Sequence, residues 1–390
     1  MNDESNPDSE FRGANEFQIR NPKAERNERP ALCSDLELQA SFEFRHSDFV
    51  IVQSPSRRLS KSRFSAVLNR PLARTIRGVT PEASPHPPVG EVVRPTTLIE
   101  AQRLGRRLGV ALTIASETFQ HTGSFKFRAA YHLASQVRQR HIITASSGNF
   151  GQALARACEL VHKSCLVVMP STSARIKVDA VREFGGEVEL IEVTQTTRTA
   201  RVRELAALHG DAYIASPYDD PLVIEGNATL GTELADAGQS FDCIIAPVGG
   251  GGLTSGLIRG LRASGCPVQV YGAEPELAND AARSLRSGSL LANETEPPTI
   301  ADGVRTLSLG QHNWAILRDG LEGIIEVSEE QIKESVRLLF TLANLKVEPT
   351  GALGVAALLA APKLFYGHTV CCIASGGNVD PELFRNILVG

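Results

Sequence analysis

From about Glu91 onward, short runs of consecutive apolar residues alternate with stretches whose apolar positions recur every three or four residues. The runs predict strands buried on both faces, and the stretches between them predict amphipathic helices. Strands are expected at 110–116, 141–145, 165–169, 187–193, 243–247, 268–274, 324–327 and 369–374. A turn at 94–98 should lead into a helix at 99–108, with further helices at 125–140, 152–160, 198–209, 253–263, 329–343 and 381–388. Strands alternating with helices imply an α/β fold with parallel sheets covered on both faces, in which ligands bind beyond the carboxyl ends of the strands. A strand–loop–helix unit recurs three times. Its loops are Ser146-Ser147-Gly148-Asn149-Phe150-Gly151, Gly249-Gly250-Gly251-Gly252 and Ser375-Gly376-Gly377-Asn378. Cys371 and Cys372, adjacent on a strand, should face opposite sides of the sheet.

Residues 1–87 carry no such pattern. The first thirty are rich in Asn, Asp, Glu, Arg and Pro and read as disordered, so this N-terminal extension is expected to be largely without structure. A short apolar patch (Phe42, Phe44, Phe49, Val50, Ile51, Val52) follows. Residues 54–78 then hold seven Lys or Arg and no acid. A nucleic-acid arm or a transit-like segment would look like this, but a solvated linker is the better reading, because an acidic stretch precedes it.

Composition narrows the classes. A length of 390 residues suits two domains or one large α/β unit. A net charge of −4 and a pI near 6.2 give no global attraction to nucleic acid or membrane. Aromatic residues make up 5% of the chain, too few for stacking platforms. No run approaches the length of a membrane span, and the N-terminus lacks the order of a signal peptide. Seven scattered cysteines without a CxxC pair point to reduced thiols and a cytoplasmic protein.

Candidate chemistry centres on Glu117–Ala130, ETFQHTGSFKFRAA. Lys126 opens a helix, where the amide ends favour anions, so a solvated lysine is misplaced there. A lysine beside an anionic group, or one desolvated to lower its pKa, fits the position. Gly249 to Gly252 can turn backbone N–H groups inward at a helix start and cradle a phosphate, without the spacing of a nucleotide loop. The Ser146–Gly151 loop offers donors for a carboxylate or a ring oxygen, though Ser or Asn capping a helix would look the same. Ser375 could meet a ring nitrogen without carrying charge. Glu274 and Asp280, with the carbonyl of Ala278 between them, have a spacing that suits magnesium or calcium; a pair of solvated loop carboxylates is the plainer alternative. The nine histidines form no HxH or HExxH group, and no GxSxG elbow is present. A lysine, a phosphate cradle, a carboxylate loop and a hydroxyl for a ring nitrogen together match pyridoxal 5′-phosphate.

TGSFKFRAA, SSGNFGQALA, PVGGGGL, TIADGV, EPTGA and SGGNVD, in this order, resemble the fold-type II pyridoxal-phosphate enzymes, specifically the threonine/serine dehydratases and serine racemases. The resemblance runs from about Glu91 to Asp380. It implies a tryptophan synthase β-like fold: two parallel-rich α/β domains with the active site between them, a large one from 88–140 and 219–390 and a small one from 141–218. It further implies that Lys126 is the Schiff-base lysine, that Phe125 packs against the cofactor ring, and that Asn149 bonds the ring hydroxyl. Gly249, Gly250, Gly251 and Gly252 would hold the phosphate, Ser375 the pyridine nitrogen, and Glu348 would lie near the ring. Ser147 would be the serine on the face opposite the lysine, and Ser146, Ser147, Gly148, Asn149 and Phe150 would contact substrate. Glu274, Ala278 and Asp280 match the divalent-metal site of the racemase-like and hydroxyaspartate-dehydratase branch.

The implied activity is β-elimination of the hydroxyl from L-threonine or L-serine, giving a 2-keto acid and ammonia in a homodimeric enzyme. Serine racemisation or 3-hydroxyaspartate dehydration is the alternative, and a non-catalytic binding or regulatory protein on the same fold is the alternative from another class. Two departures bear on substrate: Phe150 stands where the racemases and many dehydratases have histidine, and Ala129 where glycine is usual. Nothing after Asp380 suggests a regulatory domain.

Overall fold

In the computed structural model, which describes residues 84–390 apart from residues 147 and 174, the alternation resolves into two sheets. The strands are β1 (Thr97–Glu100), β2 (Ala111–Ser116), β3 (His141–Ala145), β4 (Ser164–Pro170), β5 (Glu187–Ile191) and β6 (Ala212–Ala215). After them come β7 (Cys243–Pro247), β8 (Gln269–Pro275), β9 (Gly323–Val327) and β10 (Thr369–Ala374). One sheet has the order β1-β2-β10-β7-β8-β9, parallel except for β1, and the other is fully parallel in the order β5-β4-β3-β6. The apolar patch at Phe42–Val52, the basic stretch at 54–78, nearly all of the expected extension, and Ser147 lie outside the described residues. Among the described residues no helix is long and apolar enough to cross a membrane.

The central strands are apolar throughout because both faces are covered. Every residue of β7 is buried. Along β10, Val370, Cys372 and Ala374 join one core cluster while Cys371 and Ile373 join another, as the two-residue period of a strand requires.

β1 corrects the expected turn and helix at 94–108. Leu98 and Ile99 are part of an antiparallel edge strand registered on Ala115 and Ile114, and the helix runs only from Gln102 to Leu108. The β-branched and apolar Thr-Leu-Ile run pairs with β2, and that tertiary ladder outweighs the local helical spacing. Elsewhere the differences are at element ends. The lysine helix is Lys126–Gln136, and the helices after two of the loops start inside them, at Asn149 and Gly252.

One buried ion network ties these parts together. Arg128, with no exposed surface, donates from Nε and Nη2 to the fully buried Glu117, which follows β2. The same guanidinium reaches Glu233 at 2.7 and 2.9 Å, Thr229 at 3.1 Å and Thr96, just before β1, at 2.9 Å. Burial alone would lower its pKa, but the Glu117 and Glu233 carboxylates hold it above the usual arginine value. Removing one partner of such a pair leaves an uncompensated buried charge. Arg128→Met should therefore lower unfolding free energy by about 3–5 kcal/mol in urea titrations, whereas a loss below about 1 kcal/mol would show that the network is dispensable.

Candidate active site

Lys126 is the first residue of its helix, and three strand-end loops position it. Gly123 occupies the left-handed region (φ 71°), and its neighbour Ser124 pairs with Gly376. Phe125 N donates to Ser375 O at 3.0 Å, Gly377 N to Gly123 O at 2.9 Å, and Asn378 Nδ2 to Thr122 O at 2.8 Å. The loop before the lysine and the loop after β10 are thus stitched by backbone and amide bonds.

The lysine amine is enclosed. Nζ donates to Pro217 O at 2.7 Å and lies 5.1 Å from the Phe125 ring centre and 5.7 Å from that of Phe150. Burial lowers its pKa to about 8 against the opposing pull of Glu348. The puzzle of a cation at a helix start has a physical answer here: the amine is desolvated between two phenyl faces. Phe150 is 1% exposed and packs in the core. It is an apolar wall beside Lys126.

Glu348 is the second buried group. Asn149 Nδ2 donates to both of its oxygens, at 2.9 and 3.2 Å, and Asn149 Oδ1 accepts from Asn378 Nδ2 at 2.8 Å. Burial first, then the nearby Asp302 charge, push the carboxyl up to about 8, against the Asn149 hydrogen bonds and the Lys177 charge. An amine and a carboxyl titrating in one region can hold or release a proton at neutral pH. Around them the buried hydroxyls of Thr122, Ser124 and Ser375 have no hydrogen-bond partner. Ser146, by contrast, is engaged: its Oγ accepts from Gly148 N and Gly151 N, at 3.4 and 3.2 Å, and so caps the helix.

The glycine loop is a closed bowl. Gly249 and Gly251 have φ of 49° and 93°, which L side chains avoid. A Cβ on Gly249 would meet Val304 at 2.9 Å, one on Gly251 would meet Asn313 at 2.7 Å, and one on Gly250 would collide with the Tyr218 ring. Asn313 Nδ2 fastens the bowl by donating to Gly250 O at 2.8 Å and Tyr218 O at 3.0 Å. The helix Gly252–Ala263 starts here, so its first amides have no intrahelical acceptor.

Sequence reasoning did not single out the segment Ser216-Pro217-Tyr218-Asp219-Asp220. Its Pro217 carbonyl holds Lys126 and its Tyr218 covers the glycines, while Asp219 accepts from Gln311 N and His312 N at 3.0 Å, and Asp220 caps the Pro221–Asp236 helix. The signal was present as an Asp N-cap followed by Pro at N1.

Glu274, Ala278 and Asp280 have no exposed surface, and the Asp280 charge acts on Glu274. That excludes solvated loop carboxylates. Glu274 accepts from Ala281 N at 3.4 Å and Ala282 N at 2.9 Å. Asp280 Oδ1 accepts from Asn293 at 2.9 Å while its buried Oδ2 has no partner. Burial, and for Glu274 also the adjacent Asp280 charge, raise both pKa values, Asp280 to about 6. Among the described residues no cluster of three or more His, Cys, Asp or Glu could hold a metal, so a cation here would complete its shell from a backbone carbonyl and water.

The desolvation of Lys126 is testable on the cofactor-free chain. Its labelling by acetic anhydride, followed by peptide mass spectrometry, should reach half-maximum near pH 8; a midpoint near 10.5 would mean that the amine is solvated.

Comparison with known proteins identifies the family. Residues 89–376 match the family described as pyridoxal-phosphate dependent enzyme. An L-threo-3-hydroxyaspartate ammonia-lyase of Pseudomonas sp is 37% identical over 299 residues, 76% of this chain and 93% of the relative. Human serine racemase is 32% identical over 308 residues, 76% of this chain and 89% of the relative. Among solved structures, a threonine deaminase from T.th. aligns with a TM-score of 0.70 at 40% identity, covering 75% of this chain and 96% of the other.

Proposed function

Since the chain belongs to the pyridoxal-phosphate-dependent enzymes, of the fold-type II kind, we propose that it is an ammonia-lyase acting on small 3-hydroxy amino acids, L-threonine and L-serine among them. The reaction eliminates the β-hydroxyl and yields a 2-keto acid and ammonia. The observation that carries this reading is the desolvated amine of Lys126 beside three unpartnered buried hydroxyls and a glycine bowl.

Those residues fit the cofactor. The amides of the Gly249–Gly252 bowl, of which Gly251 N already donates to Val248 O at 2.9 Å, would take its phosphate, the Ser375 hydroxyl its ring nitrogen and the Asn149 amide its ring hydroxyl, with Glu348 alongside and Phe125 packed against the ring. Pyridoxal phosphate, when bound, supplies an aldehyde for Lys126 and a conjugated ring that draws electrons from the substrate's Cα. The chain's own work is proton handling and orientation. Lys126, once its amine is free, takes the Cα proton, and its low pKa keeps a neutral amine accessible near pH 8. The backbone donors at the Asn149–Leu160 helix start hold the substrate carboxylate. A hydroxyl rather than a carboxylate at the ring nitrogen leaves the ring neutral, which favours prompt elimination over transamination.

Action on 3-hydroxyaspartate is the second reading, supported by the names of relatives at 37%, 36% and 33% identity. Magnesium or calcium at Glu274, the Ala278 carbonyl and Asp280 belongs to the same proposal; the buried, unpartnered Asp280 Oδ2 favours it.

Two experiments test these readings. With cofactor, the protein should show a visible absorption band that Lys126→Ala loses, and it should release keto acid from L-threonine, L-serine or 3-hydroxyaspartate. A colourless protein sinks the enzyme reading, and D-serine formation exceeding pyruvate makes it a racemase. Saturating magnesium or calcium should raise the melting temperature by several degrees, since a hundredfold excess over Kd adds about 2.7 kcal/mol. Asp280→Asn should abolish that response; no response in the wild type removes the metal from the proposal.

A further inference from the structure

Besides Lys126, a second ammonium, that of Lys177, acts on Glu348. Lys177 lies on the Arg175–Glu183 helix, beside the four-stranded sheet, and its ammonium pairs with Asp302. Asp302 opens the short turn Asp302–Val304, which runs between the two halves of the candidate site. At one end Val304 packs on Gly249 of the bowl. At the other, Gly303 N donates to Thr350 Oγ1 at 2.9 Å, two residues after Glu348. The Lys177 ammonium is thereby held at a turn that touches both the glycine bowl and the stretch after Glu348, and its charge is felt at Glu348.

Two further facts define what this cation can do. An ammonium has three donors, and Asp302 is its one acceptor among the described residues. The pair is partly open to solvent, with side chains 29% and 37% exposed, so re-aiming the ammonium costs little. In the function proposed above, the substrate's α-carboxylate goes to the amides at the start of the Asn149–Leu160 helix. A threonine methyl makes no use of a cation at this point, but a second carboxylate does. The pair of Arg198 with Glu296 is longer at 3.7 Å, and Glu296 is more than half exposed.

We propose that Lys177 is a specificity residue that receives the side-chain carboxylate of a 3-hydroxy dicarboxylic amino acid, with Asp302 aiming the ammonium. This rests on the β-elimination reading and names its preferred substrate class. Lys177→Met in the holoenzyme should lower the ratio of kcat/KM for 3-hydroxyaspartate to that for L-threonine by about 10- to 100-fold, mainly through KM. Lys177→Arg should keep the ratio within about threefold of wild type. An unchanged ratio in Lys177→Met overturns the assignment. Should that variant not fold, inhibition of the wild type decides: succinate should compete at least about tenfold more tightly than butyrate, and equal inhibition overturns the proposal. Keto acid released from threonine but not from 3-hydroxyaspartate defeats this inference alone. Release from neither substrate defeats the β-elimination reading beneath it.

Discussion

The Arg128 guanidinium is the constraint on which the geometry of the site depends. It lies two residues past Lys126 on the same helix, so whatever fixes its plane fixes the direction in which the lysine leaves the backbone. Glu117 binds it from just after β2, Glu233 from the Pro221–Asp236 helix and Thr96 from just before β1. A buried pair of this kind is poor evidence for added stability, because desolvation offsets much of the attraction. Its value is register. Five donors in a planar fork can satisfy these acceptors in few arrangements, and each fixes the lysine helix against three other elements.

The same network carries over to the glycine bowl. Glu233 sits on the helix that crosses Gly252–Ala263 so closely that a Cβ on Gly231, Gly256 or Gly260 would strike the opposing backbone or side chain. A crossing this tight transmits position with little slack, since packed interiors have low compressibility. The bowl is therefore set by backbone contacts and by Tyr218 and Asn313, while the lysine is set by the buried arginine. A large side chain at any of those glycines would be felt at the phosphate end of the site.

Much of this was legible in the chain because local rules and tertiary environment agree there. Strands such as β7 and β10 are apolar at every position, which only a doubly covered sheet explains, and Cys371 and Cys372 separated to opposite faces as the pleat demands. β1 was not legible. Its hydrophobic spacing fits a helix as well as a strand, and only pairing with β2 decides between them. Tyr218, Pro217 and Asn313 were missed for a related reason: their roles are close approaches across long sequence separations, and periodicity carries no trace of them. Ser146 shows the plainer alternative that the sequence also offered, a helix cap. A hydroxyl in a turn before a helix caps it, and that ordinary task uses its acceptor first. The spacing of Glu274 and Asp280 suited either a divalent cation or a pair of solvated loop carboxylates, and their burial excludes the second.

Charges around Glu348 extend the logic from position to chemistry. Lys126, Glu348, Asp302 and Lys177 form a sequence in which each group sets the field on the next. Asp302 helps to raise the Glu348 carboxyl, and Lys177 partly cancels that effect. Glu348 in turn pulls the Lys126 pKa upward against burial. An anion that draws the Lys177 ammonium towards itself would reduce the cancellation, so Glu348 would hold its proton more firmly. A neutral Glu348 no longer stabilises the ammonium form of Lys126, so a larger share of the amine would be unprotonated, though as a weaker base. Binding of a second substrate carboxylate at Lys177 would thus bias Lys126 towards the state that removes a proton, with no movement of either helix.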